Sequence, residues 1–164
     1  MSYKDYIQAA LALSLIWILR RLGLSLSAKL AGLILLAFGR FVREHKLADT
    51  NMAAALPGMT AQQRKVTLRN MWLNIGHVLA EMVHMKRITS QVERRLRVHG
   101  REHLDTLKSS GKPFVLVSAH TGNWEINMVL LEQMGFEAGA IYRASNNPIM
   151  DKWIIKQRAG YMAV

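Results

Sequence analysis

Residues 113–125 of the chain read PFVLVSAHTGNWE, and this stretch decides the predicted fold. Its residues 114–117 are apolar and partly β-branched, which is typical of a buried strand in a parallel sheet. His120 follows this strand, residues 121–123 suit a tight turn, and a helical pattern then runs from Trp124 to Met134 with Gly135 as its stop. Because open α/β sheets bind ligands at the carboxyl ends of their strands, we expect a functional site at His120.

The spacing between His120 and Glu125 indicates the chemistry of this site. A histidine in the turn and a glutamate in the first helical turn can face each other, whereas the same spacing within one helix would separate them. A neutral imidazole can accept a proton from a hydroxyl, and a carboxylate partner orients the ring and stabilises the imidazolium. The pair therefore suits an alcohol that attacks an activated acyl group directly. A turn histidine satisfied by a nearby carboxylate has the same spacing, and the spacing alone does not separate the two interpretations.

A second strand is predicted over residues 138–142, so that strand, helix and strand form one right-handed βαβ unit. Arg143 ends this strand, on the same sheet edge as His120, where a guanidinium could hold a phosphate or carboxylate; a surface arginine is the alternative. Pro148 opens another helix, and residues 161–164 resemble the start of a third strand. The predicted fold class is α/β, with the first βαβ units of a sheet. Since such sheets usually have about five or six strands, we interpret the chain as an amino-terminal fragment.

Composition points to an anionic and partly apolar partner. The net charge is +11, from 22 basic and 11 acidic residues, while 51% of the chain is hydrophobic. The absence of cysteine excludes disulfides and cysteine-based zinc sites. A chain of this kind is neither a disordered basic tail nor an ordinary soluble enzyme.

Residues 1–45 are predicted to form membrane-associated hydrophobic helices, followed by a catalytic portion at 46–164. An uncharged run covers residues 7–19, and a second apolar run at residues 22–38 is interrupted by Lys29. The first run gives a helix of only about 20 Å, against a hydrocarbon core of roughly 30 Å. We therefore expect helices that lie in the membrane interface, or one marginal span. Buried core helices are the alternative, and a signal peptide fits less well because the arginines follow the apolar run.

The middle of the chain combines a long helix with a basic segment. After a polar connection at residues 44–58, Thr60 and Gln63 form a capping box that opens a helix to about Met85. Three residues of this helix share one face at a spacing that a metal could use, although a polar seam is the simpler interpretation and we predict no metal site: His77, Glu81 and His84. The basic residues beyond it are Lys86, Arg87, Arg94, Arg95, Arg97, Arg101, Lys108 and Lys112. They favour lipid headgroups or an acidic protein, and no aromatic platform or finger spacing accompanies them to indicate nucleic acid.

The string from His120 to Glu125, HTGNWE, resembles the H-x4-D/E motif of the glycerolipid acyltransferases in the form found in the lipid A biosynthesis lauroyl/myristoyl acyltransferases. Two flanking segments resemble the same family. The first carries a V-x-G-x-E-x-L pattern at Val98, Gly100, Glu102 and Leu104. The second carries a Y-R, N-P, D, R and G pattern at Tyr142, Arg143, Asn147, Pro148, Asp151, Arg158 and Gly160. The likeness begins near residue 35 and covers about the first half of such an enzyme.

This resemblance implies a membrane-associated O-acyltransferase on the cytoplasmic face of the bacterial inner membrane. It would move a fatty acyl chain from acyl carrier protein to a hydroxyl of a lipid A precursor, with no cofactor beyond the acyl thioester. His120 would be the general base and Glu125 its partner. Arg143 and Arg158 would bind phosphate or phosphopantetheine. The remaining predicted substrate-binding groups, the backbone N–H groups of Gly122 and Asn123, are candidates for stabilising the oxyanion.

Three alternatives remain at the level of sequence. A lysophosphatidate-type phospholipid acyltransferase would share the same pair of residues. A related hydrolase would use water in place of the alcohol. An inactive, truncated, basic membrane-binding module would need neither His120 nor Glu125.

Overall fold

The computed structural model describes residues 1–161 and is 68% helical. The helices within that range are α1 (Tyr3–Arg21), α2 (Leu24–Gly39), α3 (Arg43–Ala55), α4 (Ala61–Val83), α5 (Met85–Thr89), α6 (Val92–Arg95), α7 (Arg101–Ser110), α8 (Ile126–Gln133) and α9 (Pro148–Arg158). The chain divides into two compact units. The first unit comprises Met1–Ser14 with Met85–Val164, and the second comprises Leu15–His84.

The second unit is built on the close packing of α2 against α4. Its buried core contains Leu19, Ala31 and Ala80. The two helix backbones approach each other at Gly32 and Gly76, where a Cβ atom on Gly76 would lie only 2.4 Å from the Cα of Gly32. Small residues therefore set the distance between these helices, as a larger side chain at this point would push them apart.

The beginning of α4 confirms the predicted capping box. The backbone N–H of Thr60 donates to the Gln63 side chain at 2.8 Å, and the backbone N–H of Gln63 donates to the Thr60 hydroxyl at 3.3 Å. The segment before it was predicted to be a polar connection but forms α3. The Arg64 guanidinium of α4 bonds the Asp49 carboxylate of α3 at 2.8 Å. An alanine-rich polar segment has enough helix propensity to become helical once such a partner is present.

The first unit is held together by helix ends. Helix α7 lies between two glycines with positive φ, Gly100 and Gly111, and the Lys108 ammonium near its end donates to the backbone carbonyl of Met134 at the end of α8. The Asn147 side chain caps α9 by accepting from the backbone N–H of Ile149 at 3.0 Å. Helices α8 and α9 therefore begin and end close to where the turn signals predicted.

The predicted α/β fold is wrong. Within residues 1–161 there is no β-sheet, and only Gly139 has an isolated bridge assignment. In the two predicted strands, Val115 and Val117 are both 88% exposed and Ile141 is fully exposed. Apolar, β-branched composition is local, but a strand needs a neighbouring strand that shares its backbone hydrogen bonds. Neither segment has such a neighbour within the described residues. Phe114 of the first segment packs instead against Phe136, which precedes the second segment, with the ring centroids 5.2 Å apart.

The predicted third strand, at residues 161–164, lies almost entirely outside the described residues, and Tyr161 itself is in a turn. The predicted functional division near residue 45 remains a prediction.

The length and hydropathy of the amino-terminal helices bear on the predicted membrane association. Among residues 1–161, no single helix is both long and apolar enough to cross a bilayer. One pair, α2 with α3, meets the length and composition requirements together but is bent by 83°.

Candidate active site

A cavity of about 1190 Å³ in the first unit brings together four of the predicted site residues. His120, Glu125, Arg143 and Arg158 all line it. Much of the remaining wall is apolar and includes Phe114, Leu116, Met128, Leu131, Phe136 and Ile154. A base, a carboxylate and two cations therefore share an apolar-walled space. Gly122 and Asn123 do not line it.

The Glu125 carboxylate is the most buried charge of this site, with 2% of the residue exposed. Arg158 binds it through two hydrogen bonds, from Nε to Oε2 at 3.1 Å and from Nη2 to Oε1 at 2.5 Å. The Tyr161 hydroxyl donates to Oε2 at 2.9 Å. Buried charges are tolerated when they are paired and hydrogen-bonded, and this one meets both conditions.

The surroundings of Glu125 raise the pKa of both of its partners, Arg158 and Tyr161. The hydrogen bond to Glu125 raises the pKa of Arg158, which therefore stays charged. Burial is the main cause that raises the pKa of Tyr161, and the charge of Glu125 adds to it. The Tyr161 hydroxyl is therefore a neutral donor at any physiological pH. The guanidinium of Arg158 also lies over the Tyr142 ring, 4.9 Å from its centroid.

His120 is exposed, and its ring packs against Trp124 with the two centroids 4.5 Å apart. Among residues 1–161, no hydrogen bond joins His120 to Glu125. The structure thus places the predicted pair in one cavity without the predicted hydrogen bond. The roles assigned to the two residues remain predictions.

The turn between them has the backbone that the sequence predicted. Gly122 adopts a φ of 60°, a left-handed conformation that favours glycine. The Asn123 side-chain oxygen accepts from the backbone N–H of Glu125 at 3.2 Å. Its side-chain nitrogen is buried and has no hydrogen-bond partner within the part of the chain that the structure describes.

Arg143 differs from Arg158 in its surroundings. It is exposed, and its Nη2 donates to the neutral side chain of Asn146 at 3.3 Å. No ion pair to Arg143 occurs among residues 1–161. Its guanidinium is therefore accessible to an anion in the cavity.

His84, which follows the last residue of α4, belongs to a polar cluster in the second unit. The Ser27 hydroxyl is fully buried and donates to the Leu19 carbonyl at 2.7 Å. The His84 Nε2 lies 2.9 Å from the Ser27 oxygen and 3.1 Å from the Leu19 oxygen. Over residues 1–161, no group of three histidine, cysteine, aspartate or glutamate residues is arranged to hold a metal ion.

The basic segment that follows α4 is exposed and without carboxylate partners. Its members, which we call the basic cluster, are Lys86, Arg87, Arg94, Arg95, Arg97, Arg101, Lys108 and Lys112. None of them forms an ion pair with a described carboxylate. The cluster therefore offers positive charge to an external anion.

Sequence reasoning missed two features of the site. It found neither Tyr161 as a hydrogen-bond donor to Glu125 nor the ion pair between Arg158 and Glu125. The residues of both contacts lie more than 30 positions apart in the chain, at separations of 33 and 36. No helix or strand period relates residues at such a distance, so no sequence signal could have found these contacts.

Comparison with known proteins identifies the family. The model of the family described as bacterial lipid A biosynthesis acyltransferase matches residues 1–162. A lipid A biosynthesis acyltransferase of Haemophilus influenzae is 26% identical over 136 residues, which cover 80% of this chain and 43% of that protein. The chain thus spans less than half the length of this curated relative. No solved structure matches the chain significantly. Because the family match extends over nearly every residue, the protein belongs to the bacterial lipid A biosynthesis acyltransferase family.

Proposed function

We propose that the enzyme containing this chain transfers a fatty acyl group to a hydroxyl of a lipid A precursor. Family membership supports the reaction class, and the relative's own name links that protein to lipid A biosynthesis. The observation that carries the proposal is the shared cavity, which combines His120 and Glu125 with two arginines and apolar walls. An acyl chain needs the apolar wall, and a phosphorylated acceptor needs a cation, for which Arg143 is accessible.

In this mechanism His120 is the general base. It takes the proton of the acceptor hydroxyl while that oxygen attacks the thioester carbonyl, and the proton then passes to the departing thiolate as the carbon–sulfur bond breaks. Glu125 is the positioning residue that stabilises the imidazolium. Since the imidazole packs against Trp124 in the structure, the mechanism requires the ring to turn towards the carboxylate. The backbone N–H groups of Gly122 and Asn123 are the proposed donors to the oxyanion.

Arg143 is the proposed ligand for a phosphate of the acceptor or of the donor's phosphopantetheine. Support comes from its exposure and from its contact with the neutral side chain of Asn146, which is its one hydrogen-bond partner among residues 1–161. Arg158, the other arginine predicted to bind an anion, has its guanidinium engaged by Glu125.

Acyl carrier protein is the proposed acyl donor, and no further cofactor is required. Charge complementarity supports this assignment, because the exposed basic cluster suits an acidic protein. If the basic cluster binds the donor through charge, a higher salt concentration should lower the affinity of the enzyme for acyl carrier protein.

The proposed location is the cytoplasmic face of the bacterial inner membrane, on an anionic surface. Exposed aromatic side chains next to arginines support this location. The Arg21 guanidinium lies 4.9 Å from the Trp17 ring centroid, and that of Arg40 lies 4.6 Å from the Phe41 ring centroid. Such pairs suit the boundary between headgroups and acyl chains, where an apolar ring and a charged group are both solvated.

The test is His120→Ala in the full-length enzyme. Loss of a general base lowers the rate by roughly 10²- to 10⁴-fold. Acyl transfer from acyl carrier protein to a lipid A precursor is measured in membrane fractions. The matched control is His103→Ala, because the side chain of His103 is 83% exposed and outside the cavity. Equal rates for the two variants would refute the role of His120.

A further inference from the structure

We infer that Arg158, together with Tyr161, is a positioning residue that holds the Glu125 carboxylate in one orientation, and that it does not bind the substrate phosphate. This inference rests on the proposed function, in which Glu125 serves His120.

The contacts fix the carboxylate in both position and plane. The two hydrogen bonds from Arg158 join Nε and Nη2 of the guanidinium to the two carboxylate oxygens, and such a bidentate pair restricts rotation of the carboxylate. The Tyr161 hydroxyl adds a third donor from a residue that is only 4% exposed. These partners come from the last turn of α9 and the residue that follows it closely. The end of α9 therefore controls the orientation of a group at the start of α8.

The Glu125 carboxylate can accept a further hydrogen bond, and this bond could come from His120. An ionised carboxylate offers about four acceptor positions. Among residues 1–161, Oε2 accepts from Arg158 and Tyr161, whereas Oε1 accepts only from Arg158. One position on Oε1 is left for a further donor. A ring N–H of His120, which lines the same cavity, is the donor that the proposed mechanism supplies.

Arg158 is also poorly placed to bind substrate. Its side chain is only 14% exposed, and the Tyr142 ring lies against its guanidinium. Moving it to a phosphate would leave Glu125 as a buried charge without its cation, which is strongly unfavourable. Moving Arg143 to a phosphate would leave no carboxylate unpaired, since the group that it contacts is the neutral side chain of Asn146.

The experiment separates the two roles by steady-state kinetics of the full-length enzyme with a phosphorylated lipid A precursor as the varied substrate. We expect Arg158→Met to lower kcat by roughly 10- to 100-fold, which corresponds to the loss of hydrogen bonds to a charged group, with the KM for the acceptor changed less than about 3-fold. Arg143→Met is the matched control and should instead raise that KM. Arg158→Lys keeps the charge but loses the fork, and it should recover part of kcat.

Tyr161→Phe keeps the inference testable if Arg158→Met does not fold. This variant removes only one hydroxyl, so we expect it to fold, to lower kcat and to leave KM unchanged. Circular dichroism of each variant checks the fold. A purely structural role would leave the kcat of the folded variants intact, and that result would overturn the inference.

The outcomes also separate this inference from the proposed function. An active His120→Ala enzyme refutes the proposed function and removes the basis of the inference with it. An inactive His120→Ala enzyme, combined with an Arg158→Met enzyme that has a tenfold higher KM and a normal kcat, overturns the inference alone.

Discussion

The contact between α2 and α4 gives a sharp test of the fold through Gly76→Ala. A Cβ atom on Gly76 would lie 2.4 Å from both N and Cα of Gly32 and 2.6 Å from the carbonyl carbon of Ala31. Ordinary van der Waals contacts lie at 3.4–4 Å. The atoms that it meets are backbone atoms, so no side-chain rotation relieves the overlap. The two helices must separate by about 1 Å.

Two effects of opposite sign determine the magnitude. Alanine in a helix interior is more favourable than glycine by about 0.5–1 kcal/mol. Overpacking of a well-packed contact costs about 1–3 kcal/mol, and a clash with backbone belongs at the upper end of that range. We therefore expect Gly76→Ala to lower the free energy of unfolding by about 2 kcal/mol. For a chain of this size, that corresponds to a fall in Tm of roughly 4–8 °C.

Gly32→Ala is the matched control on the facing helix. Its Cβ atom would lie 3.4 Å from the His77 ring and 3.5 Å from a methyl carbon of Leu73, which are side-chain atoms at ordinary distances. The helix propensity of alanine should therefore dominate, and we expect a Tm that is unchanged or slightly higher. Thermal unfolding followed by circular dichroism measures both variants. A Tm for Gly76→Ala equal to that of Gly32→Ala would refute the close approach of the two backbones.

Three further predictions concern single polar contacts. Thr60→Ala removes the capping box of α4, and we expect a loss of about 1 kcal/mol in the free energy of unfolding, measured by urea denaturation; no change would contradict the cap. Ser27→Ala removes a buried hydroxyl that donates to the Leu19 carbonyl, and the same measurement should give a loss of about 1 kcal/mol, with an unchanged midpoint as the contrary result. The backbone N–H of Ser2 donates to Asp5 and lowers its pKa, so the contribution of Asp5 to the first turn of α1 is present above pH 3.8 and is lost as the pH falls through the lower folded pKa. The protection of amide hydrogens in that turn, measured relative to the unfolded-chain exchange rate at the same pH, should fall on acidification. Asp5→Asn should abolish this pH dependence, and a protection that stays constant in the unaltered protein would contradict the contact.

Local sequence signals predicted the beginnings of α4 and α9 and the end of α8, because the causes of these helix ends are local, although α3 and α7 were not predicted. The capping box at Thr60, the cap at Asn147 and the stop at Gly135 each depend on residues within one turn of the chain. The tight turn predicted at residues 121–123 also has a local cause, and Gly122 has a left-handed backbone within it. These features follow from backbone geometry and a few neighbouring side chains, so their sequence patterns are sufficient.

The predicted sheet failed for the opposite reason. Residues 114–117 and 138–142 carry the composition of strands, but composition does not provide a partner. In the structure Val117 and Ile141 are exposed, and no sheet forms within residues 1–161. Strand formation depends on contacts between distant segments, and local sequence patterns carry no information about those contacts.

By itself, the sequence determined the helix caps, the turn after His120, the charge of the basic cluster and the family motif. Only the tertiary structure decided that Arg158 and Tyr161 hold Glu125 while His120 packs against Trp124. The caps, the turn, the charge and the motif depend on neighbouring residues and on composition. The contacts of Glu125 and His120 depend on which distant side chains fold into the same low-dielectric cavity, where a buried carboxylate takes the cation and hydroxyl that tertiary packing brings within reach.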